Sequence, residues 1–158
     1  MPIDVTALAV LPFFAELTGG QRRALSQVLV ERAYAPGEVI FAEGSRGMAC
    51  AFIIRGTVHV ELDAGPGRPA KRINSMGEGE IFGEVALLDG GRRTASCLAG
   101  EGGAAVALLS RDDFSLLFES GNPFAFSIAR LIARQLARRL RHAAHVWSET
   151  TRGVTSDF

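Results

Sequence analysis

The chain has 158 residues, of which 47% are hydrophobic, and its formal net charge at neutral pH is zero. This length fits one domain with some additional helix, and the balanced charge gives no bulk attraction toward nucleic acid or an anionic membrane. No apolar run approaches the roughly 18–20 residues that cross a bilayer, and the N-terminus lacks the basic leader of a signal peptide. Two cysteines are too few for a disulfide framework, so we expect a cytoplasmic protein with reduced thiols and no membrane segment.

The first two thirds of the chain predict a short helix followed by strands. Thr18 has the position of an N-cap for a helix from about Gly20 to Val30. From residue 34 to residue 109, short apolar runs alternate with glycine-rich breaks. The runs are Val39–Phe41, Ala51–Ile54, Val58–Leu62, Ile81–Phe82 and Ala104–Leu109. Several short strands separated by turns indicate a barrel, a sandwich or a jelly roll.

The last third of the chain predicts helices. Ser110 and Asp113 have the spacing of a capping box, and Asn122-Pro123 is typical of an N-cap and the first residue of a long helix. This helix should run to about Trp147. One side of it carries Ile128, Ile132, Leu136, Leu140, Ala143 and Trp147. Residues 148–158 are expected to form a flexible tail. The fold class is therefore mainly β with flanking helices.

One segment, FGEVALLDGGRRTAS over 82–96, carries the groups of a specific ligand site. Gly83 and Glu84 begin a short apolar turn, and the free N–H groups at a helix start favour an anion. Arg93 adds a planar fork of donors that matches phosphate oxygens. A carboxylate repels phosphate but accepts a hydrogen bond from a sugar hydroxyl. These groups together suit a small ligand that contains a phosphate and a ribose.

Two stretches carry a family resemblance. The run from Pro36 to Val60 resembles the first half of a cyclic-nucleotide-binding domain, and Gly77 to Ser96 resembles its phosphate-binding cassette. That family includes catabolite-activator-type regulators, kinase regulatory subunits and cyclic-nucleotide-gated channels. The resemblance extends over residues 8–147. It implies a β-roll, or jelly roll of the double-stranded β-helix type, over 34–109, with a short N-terminal helix and C-terminal helices over 111–147.

The resemblance also implies a function and a binding site. The chain would be a non-catalytic receptor whose ligand is cAMP or cGMP, with no other cofactor. Arg93 would hold the phosphate and Glu84 would accept from the ribose 2′-hydroxyl, with nearby backbone N–H groups completing the cradle. The predicted ligand-binding residues are Phe82, Gly83, Glu84, Val85, Ala86, Arg93, Thr94, Ala95, Leu136 and Leu140. The alternative is that Arg93 and Glu84 form only a structural ion pair.

Two neighbours of Arg93 bear on the ligand. Arg92 stands where the family commonly has proline, and we interpret it as a solvated rim charge, with a second phosphate contact as the alternative. Thr94 follows Arg93, and in cGMP-responsive relatives a threonine there reaches the guanine amino group. A small hydroxyl is also common where cAMP binds. Thr94 therefore permits cGMP without requiring it.

The base site is less specific. Activator-type regulators use hydroxyl residues of the long helix to contact adenine, and Ala143 and Ala144 take those positions here. Neither side chain forms hydrogen bonds. We therefore expect the base to rest on Leu136 and Leu140 with weak discrimination, since a site without polar groups cannot strongly reject the wrong purine.

No residue pattern predicts catalysis or a metal. His59, His142 and His145 lack partners at ligand spacing, so we interpret them as packed or surface histidines. No Ser/His/Asp or Cys/His arrangement stands out. The sequence therefore predicts neither catalytic residues nor a metal site.

The long helix is a candidate interaction surface. Its arginines are Arg130, Arg134, Arg138, Arg139 and Arg141. We interpret them as a solvated face, with a nucleic-acid contact as the alternative. The apolar side is a candidate interface for a homodimer or for an unidentified protein partner. We find no DNA-binding domain in this chain. Two other functions remain open: a degenerate dimerisation or scaffold module, and the effector half of a transcription regulator.

Overall fold

A computed structural model describes residues 3–12 and 14–154 of the chain, with side chains up to residue 152. Within these ranges, two short 3-10 helices, Val5–Val10 and Phe14–Glu16, precede four α-helices and six strands. In chain order the elements are α1 (Gly19–Val28), β1 (Val30–Tyr34), β2 (Val39–Phe41), β3 (Ala49–Leu62), β4 (Lys71–Met76), β5 (Ile81–Phe82), α2 (Glu84–Asp89), β6 (Ser96–Ser110), α3 (Arg111–Glu119) and α4 (Pro123–Val154).

The six described strands form one antiparallel sheet built around its two longest members. β3 and β6 pair from Ala49 with Ser110 to Glu61 with Ser96. β1 and β2 pair with β6, and β4 and β5 pair with β3. Breaks in register divide the β3–β6 ladder, and such bulges bend and twist a long strand. This jelly-roll-like fold with flanking helices confirms the predicted fold class.

A glycine sets the bend inside β3. Gly56 has φ of 85°, which favours glycine, and a Cβ placed there would lie 2.2 Å from the carbonyl oxygen of Gly103. The sequence analysis treated this glycine as the break between two strands, 51–54 and 58–62. The structure has one continuous strand instead, because the glycine allows the close approach of β6 without ending the pairing.

The helix starts agree with the capping patterns. The Thr18 hydroxyl oxygen accepts from the backbone N–H of Gln21, and the Gln21 side chain accepts from the N–H of Thr18. At α3, the Ser110 hydroxyl oxygen accepts from the N–H of Asp113 at 3.0 Å. These bonds satisfy donors that a helix start leaves open. At α4, the Asn122 side-chain oxygen accepts from the N–H of Phe124 at 2.9 Å. All three predicted N-caps are confirmed.

The core has two parts. One cluster joins the N-terminal helices, the sheet and the first half of α4, and includes Leu8, Phe52 and Ile128. The second lies inside the sheet and includes Val58 and Phe82. The second cluster matters for function, because Phe82 ends β5 immediately before the cassette segment.

The last helix is longer than the sequence analysis expected. α4 continues to Val154 rather than ending near Trp147, so residues 148–154 are helical and not the flexible tail that we predicted. No proline interrupts the segment, and the Thr150 hydroxyl donates to the carbonyl oxygen of Val146 at 2.9 Å. Residues 155–158 lie outside the described residues. None of the described helices combines the length and apolar character needed to span a membrane.

Candidate functional site

A small cavity of about 70 Å³ lies where β5, α2, the segment before β6 and α4 meet. Eight of the ten predicted site residues line it: Phe82, Gly83, Glu84, Val85, Ala86, Arg93, Thr94 and Ala95. The other lining residues are Phe41, Val60, Met76, Arg92, Cys97 and Arg139. The structure therefore gathers these eight cassette residues around one cavity.

Gly83 shapes the start of this cassette. It is the N-cap of α2 in a left-handed conformation with φ of 74°. A Cβ at this position would lie 2.6 Å from Nη1 of Arg93 and 2.7 Å from the Phe41 ring. Only glycine combines this conformation with so little space. Its small size lets the Arg93 guanidinium lie directly against the turn.

Arg93 is a buried cation, with 7% of its surface exposed. Its Nη1 donates to the Gly83 carbonyl oxygen at 2.9 Å, and its Nη2 donates to that of Ala49 at 2.6 Å. The guanidinium carbon lies 3.7 Å from the centre of the Phe41 ring. Its Nε is also buried and has no hydrogen-bond partner among the described residues. A buried donor without a partner costs about 1–3 kcal/mol.

Glu84 is a buried carboxylate held by a side chain from α4. Only 1% of Glu84 is exposed, and its Oε1 accepts from Nη1 of Arg139 at 2.6 Å. One helical turn earlier, Nε2 of Gln135 donates to the carbonyl oxygen of Ile81 at 2.9 Å. These two contacts connect α4 to both ends of the Ile81–Glu84 turn. Arg93 and Glu84 do not form the structural ion pair that was the alternative interpretation, and each group has another partner.

Sequence reasoning missed Arg139. It treated this residue as one of five arginines on a solvated face, and nothing in the spacing of those arginines distinguishes it. The available signal was the lone buried acid of the cassette, which needs a cation from elsewhere in the fold. Arg92, in contrast, is exposed at the rim and donates to the Gly44 carbonyl oxygen at 2.9 Å.

The two predicted base contacts, Leu136 and Leu140, do not line this cavity. Leu136 packs against the core under the helices, and Leu140 is 73% exposed. A larger cleft of about 610 Å³ lies beside the first cavity instead, between the sheet and α4. It is lined by Val60, Leu62, Ile73, Asn74, Thr94, Ala95, Arg138, Arg139, His142 and Ala143. Neither leucine lines this cleft, and three of the four residues that α4 contributes to its wall are polar.

Both cysteines are free, buried thiols close to the site. Burial raises the pKa of Cys97, which lines the small cavity, to about 11, and that of Cys50 to about 12. Burial also lowers the pKa of the Arg93 guanidinium, a shift that the neighbouring Cys97 opposes.

The histidines lie in other surroundings. His59 is 8% exposed and bridges three strands, through Nδ1 to the Ser75 hydroxyl at 2.8 Å and through Nε2 to the Glu101 carboxylate at 3.1 Å. This hydrogen bond lowers the pKa of Glu101. His145 contacts Glu149 along α4. Across the part of the chain that the structure describes, no group of three or more His, Cys, Asp or Glu side chains is arranged to hold a metal ion.

Comparison with known proteins identifies the family. The family model described as "Cyclic nucleotide-binding domain" matches residues 31–120, which include the whole cassette. The chain belongs to the cyclic nucleotide-binding domain family. The match begins in β1 and ends just after α3, so it contains all six described strands.

Individual relatives agree with this assignment. The domain is 36% identical over 97 residues to a putative potassium channel protein of Rhodopseudomonas palustris, covering 61% of this chain and 23% of the relative. It is 35% identical over 105 residues to the cyclic AMP receptor protein of Thermus thermophilus, covering 66% of this chain and 48% of the relative. The domain thus spans less than half the length of either relative.

A solved structure shows the same fold. The crystal structure of Thermus thermophilus catabolite activator protein superposes with a TM-score of 0.73 at 30% identity. The superposition covers 89% of this chain and 63% of that one. It therefore extends beyond the segment that the family model matches, toward the helices at both ends.

Proposed function

We propose that this domain is a non-catalytic receptor for a purine cyclic nucleotide, cAMP or cGMP. One observation carries the proposal: a buried cation, Arg93, and a buried carboxylate, Glu84, both line the wall of one cavity. A phosphate needs the first group and a ribose hydroxyl suits the second. Membership of the family and the name of the Thermus thermophilus relative support this ligand class.

Each of the eight predicted residues that line the cavity has a role in this proposal. Arg93 binds the phosphate oxygens through its unpaired Nε and the outer edge of its fork. Glu84 keeps one oxygen on Arg139 and accepts the ribose 2′-hydroxyl with the other. The cradle is completed by backbone N–H groups of Gly83, Val85, Ala86, Thr94 and Ala95, with Phe82 as its apolar floor. Charge-assisted hydrogen bonds of this kind are worth about 1.5–3 kcal/mol each.

The size of the cavity supports a ligand-dependent movement of α4. A small-molecule site usually offers about 300–1,000 Å³, whereas this cavity holds about 70 Å³. The neighbouring cleft supplies the missing space, and the two share four lining residues: Val60, Thr94, Ala95 and Arg139. We infer that phosphate and ribose occupy the small cavity and the base occupies the cleft. Because Arg139 borders both, a nucleotide in this position contacts the side chain that attaches α4 to the cassette.

This movement is the proposed signal. Arg139 and Gln135 attach α4 to the Ile81–Glu84 turn, which is also where the nucleotide binds. A ligand that prefers one position of the helix shifts the population toward that position. The output is then a change in the surface that α4 presents to a partner.

The partner that this surface fits best is a second copy of the chain. Along α4, residues at alternating spacings of three and four form one seam: Phe126, Ala129, Ala133, Leu136, Leu140, Ala143 and Trp147. Leu140 is 73% and Trp147 76% exposed, whereas Leu136 is partly buried against the core. A heptad seam of this kind pairs helices. Sedimentation with and without nucleotide tests the pairing, and a monomer under both conditions would contradict it.

The same seam is the observation that favours a second candidate, a dimerisation or scaffold module without nucleotide binding. The effector half of a longer transcription regulator is compatible with either candidate. The two free buried thiols fit a reducing compartment, so we place the domain in the cytoplasm.

Calorimetric titration separates the candidates. The parent protein should bind cAMP or cGMP with one site per chain. Arg93→Ala should abolish or weaken that binding at least tenfold, because it removes the phosphate contact. Arg92→Ala is the matched control, since its neighbouring guanidinium bonds to the Gly44 loop, and it should bind within about threefold of the parent. A parent that binds neither nucleotide would leave the scaffold function.

A further inference from the structure

The charged side chains that line the cleft beside the small cavity all come from one wall, the helix α4. The charged or titratable ones are Arg138, Arg139 and His142, and no carboxylate is among the lining residues of the cleft. On the sheet side, the Asn74 side-chain oxygen accepts from the N–H of Ser75 at 2.9 Å. The two arginines are the permanently charged groups of the cleft, and they present only hydrogen-bond donors to its occupant.

The two purines differ in what they present to donors. The outer edge of guanine carries two acceptors, N7 and O6, whereas adenine has the N7 acceptor beside the N6 amino donor. An arginine fork matches the guanine edge with two parallel bonds, which is the commonest specific arginine contact to a base. Against adenine the same fork keeps the bond to N7, but its second N–H faces the N6 amino group, which is also a donor.

Arg139 is held in a position from which it can act in this way. Its Nη1 is fixed on Oε1 of Glu84 at 2.6 Å, and its side chain is 43% exposed. A guanidinium has five N–H donors, so the remaining ones stay available. Arg139 lines both the small cavity and the cleft, which is the boundary where a base joined to the ribose would begin. The buried carboxylate orients the fork before any ligand arrives.

We propose that Arg139 reads the N7 and O6 acceptors of guanine and that the domain therefore prefers cGMP to cAMP. This inference rests on the proposed function, because it assumes that phosphate and ribose occupy the small cavity. It replaces the expected apolar base site with a polar one that discriminates. A bidentate contact of this kind gives roughly 5- to 150-fold discrimination against the wrong base.

Three nucleotides test the inference by titration calorimetry on the intact chain: cGMP, cAMP and cyclic IMP. Cyclic IMP keeps N7 and O6 but lacks the 2-amino group of guanine. We expect cGMP and cyclic IMP to bind within about threefold of each other, and cAMP to bind at least fivefold more weakly. If cyclic IMP falls to the level of cAMP, the 2-amino group is what is read, through a residue such as Thr94, and the role of Arg139 is refuted.

A matched pair of variants assigns the effect to one side chain. Arg139→Lys keeps the positive charge near Glu84 but loses the fork, so the ratio of cGMP to cAMP affinity should collapse toward one. Arg141→Lys changes an exposed arginine of α4 that lines neither the small cavity nor the cleft, and it should leave the ratio within about twofold of the parent. The ratio cancels the phosphate and ribose contacts that both ligands share.

The possible failures are distinct. Equal binding of cGMP and cAMP by the parent would overturn this inference and leave the receptor function standing. Tight binding of cAMP with weak binding of cGMP would overturn it in the same way. Binding of neither nucleotide would overturn the proposed function and, with it, this inference.

Discussion

The ion pair between Arg139 and Glu84 should stabilise the fold only as long as both partners are present. Arg139→Met leaves the Glu84 carboxylate buried, with 1% of its surface exposed, and without its hydrogen-bonded cation. Breaking a fully buried pair on one side costs about 3–5 kcal/mol, while exposed pairs are worth about 0–1 kcal/mol. Because Arg139 is 43% exposed, water reaches one side of the pair. We expect a loss of about 1–3 kcal/mol in the free energy of unfolding.

Urea unfolding followed by far-UV circular dichroism measures this loss, and a double-mutant cycle isolates its cause. Adding Glu84→Gln to Arg139→Met removes the stranded charge, so the double variant should recover at least half of the loss. Arg138→Met, an exposed neighbour on the same helix, should change stability by less than about 0.5 kcal/mol. Two results would show that the ion pair does not hold α4 on the cassette. One is an equal loss of unfolding free energy in Arg139→Met and Arg138→Met. The other is a double variant that loses the sum of the Arg139→Met and Glu84→Gln effects.

Three further predictions concern the fold, the thiols and the interface. Gly56→Ala should lower the free energy of unfolding, measured in urea, by about 1–3 kcal/mol. The added Cβ would lie 2.2 Å from the Gly103 carbonyl oxygen, on a residue whose φ is 85°. Unchanged stability would contradict the role of Gly56 in bending β3. Because burial raises the pKa of Cys97 to about 11 and of Cys50 to about 12, the unfolded chain releases these protons first as pH rises above 9. The free energy of unfolding should therefore fall between pH 9 and pH 11, and it should fall less steeply in Cys97→Ala. An equal slope in the variant would show that Cys97 does not contribute to this fall. Leu140→Glu should shift sedimentation from dimer to monomer without loss of helix content, since this side chain is 73% exposed; a persisting dimer would refute the seam.

The cassette was predictable because it is local in sequence. Gly83, Glu84 and Arg93 lie within a dozen residues of one another, so their spacing can be recognised in the sequence. Gly83 is glycine because the position requires a positive φ. The alternation of short apolar runs with glycine likewise indicated a β-roll. What the sequence could not indicate was that Gly56 bends one strand instead of separating two, since that depends on how closely β6 approaches.

The contacts of α4 were beyond sequence reasoning for a different reason. The apolar residues of this helix fit one stripe, yet Ile128 and Ile132 are buried whereas Leu140 is exposed. The helix leaves the body of the domain part-way along its length, and periodicity does not report where. The same limitation hid Arg139, whose partner Glu84 is 55 residues away in the chain. Which arginine reaches the cassette depends on the rotation and position of the helix.

The central claim is that Arg93 holds the phosphate and Glu84 the ribose of a cyclic nucleotide. A crystal structure of the domain grown with saturating cGMP is the decisive test of this claim. We expect phosphate oxygens within hydrogen-bonding distance of the Arg93 guanidinium and the 2′-hydroxyl bonded to the Glu84 carboxylate. A nucleotide bound at another place would contradict the claim. So would a structure in which the 70 Å³ cavity is still empty.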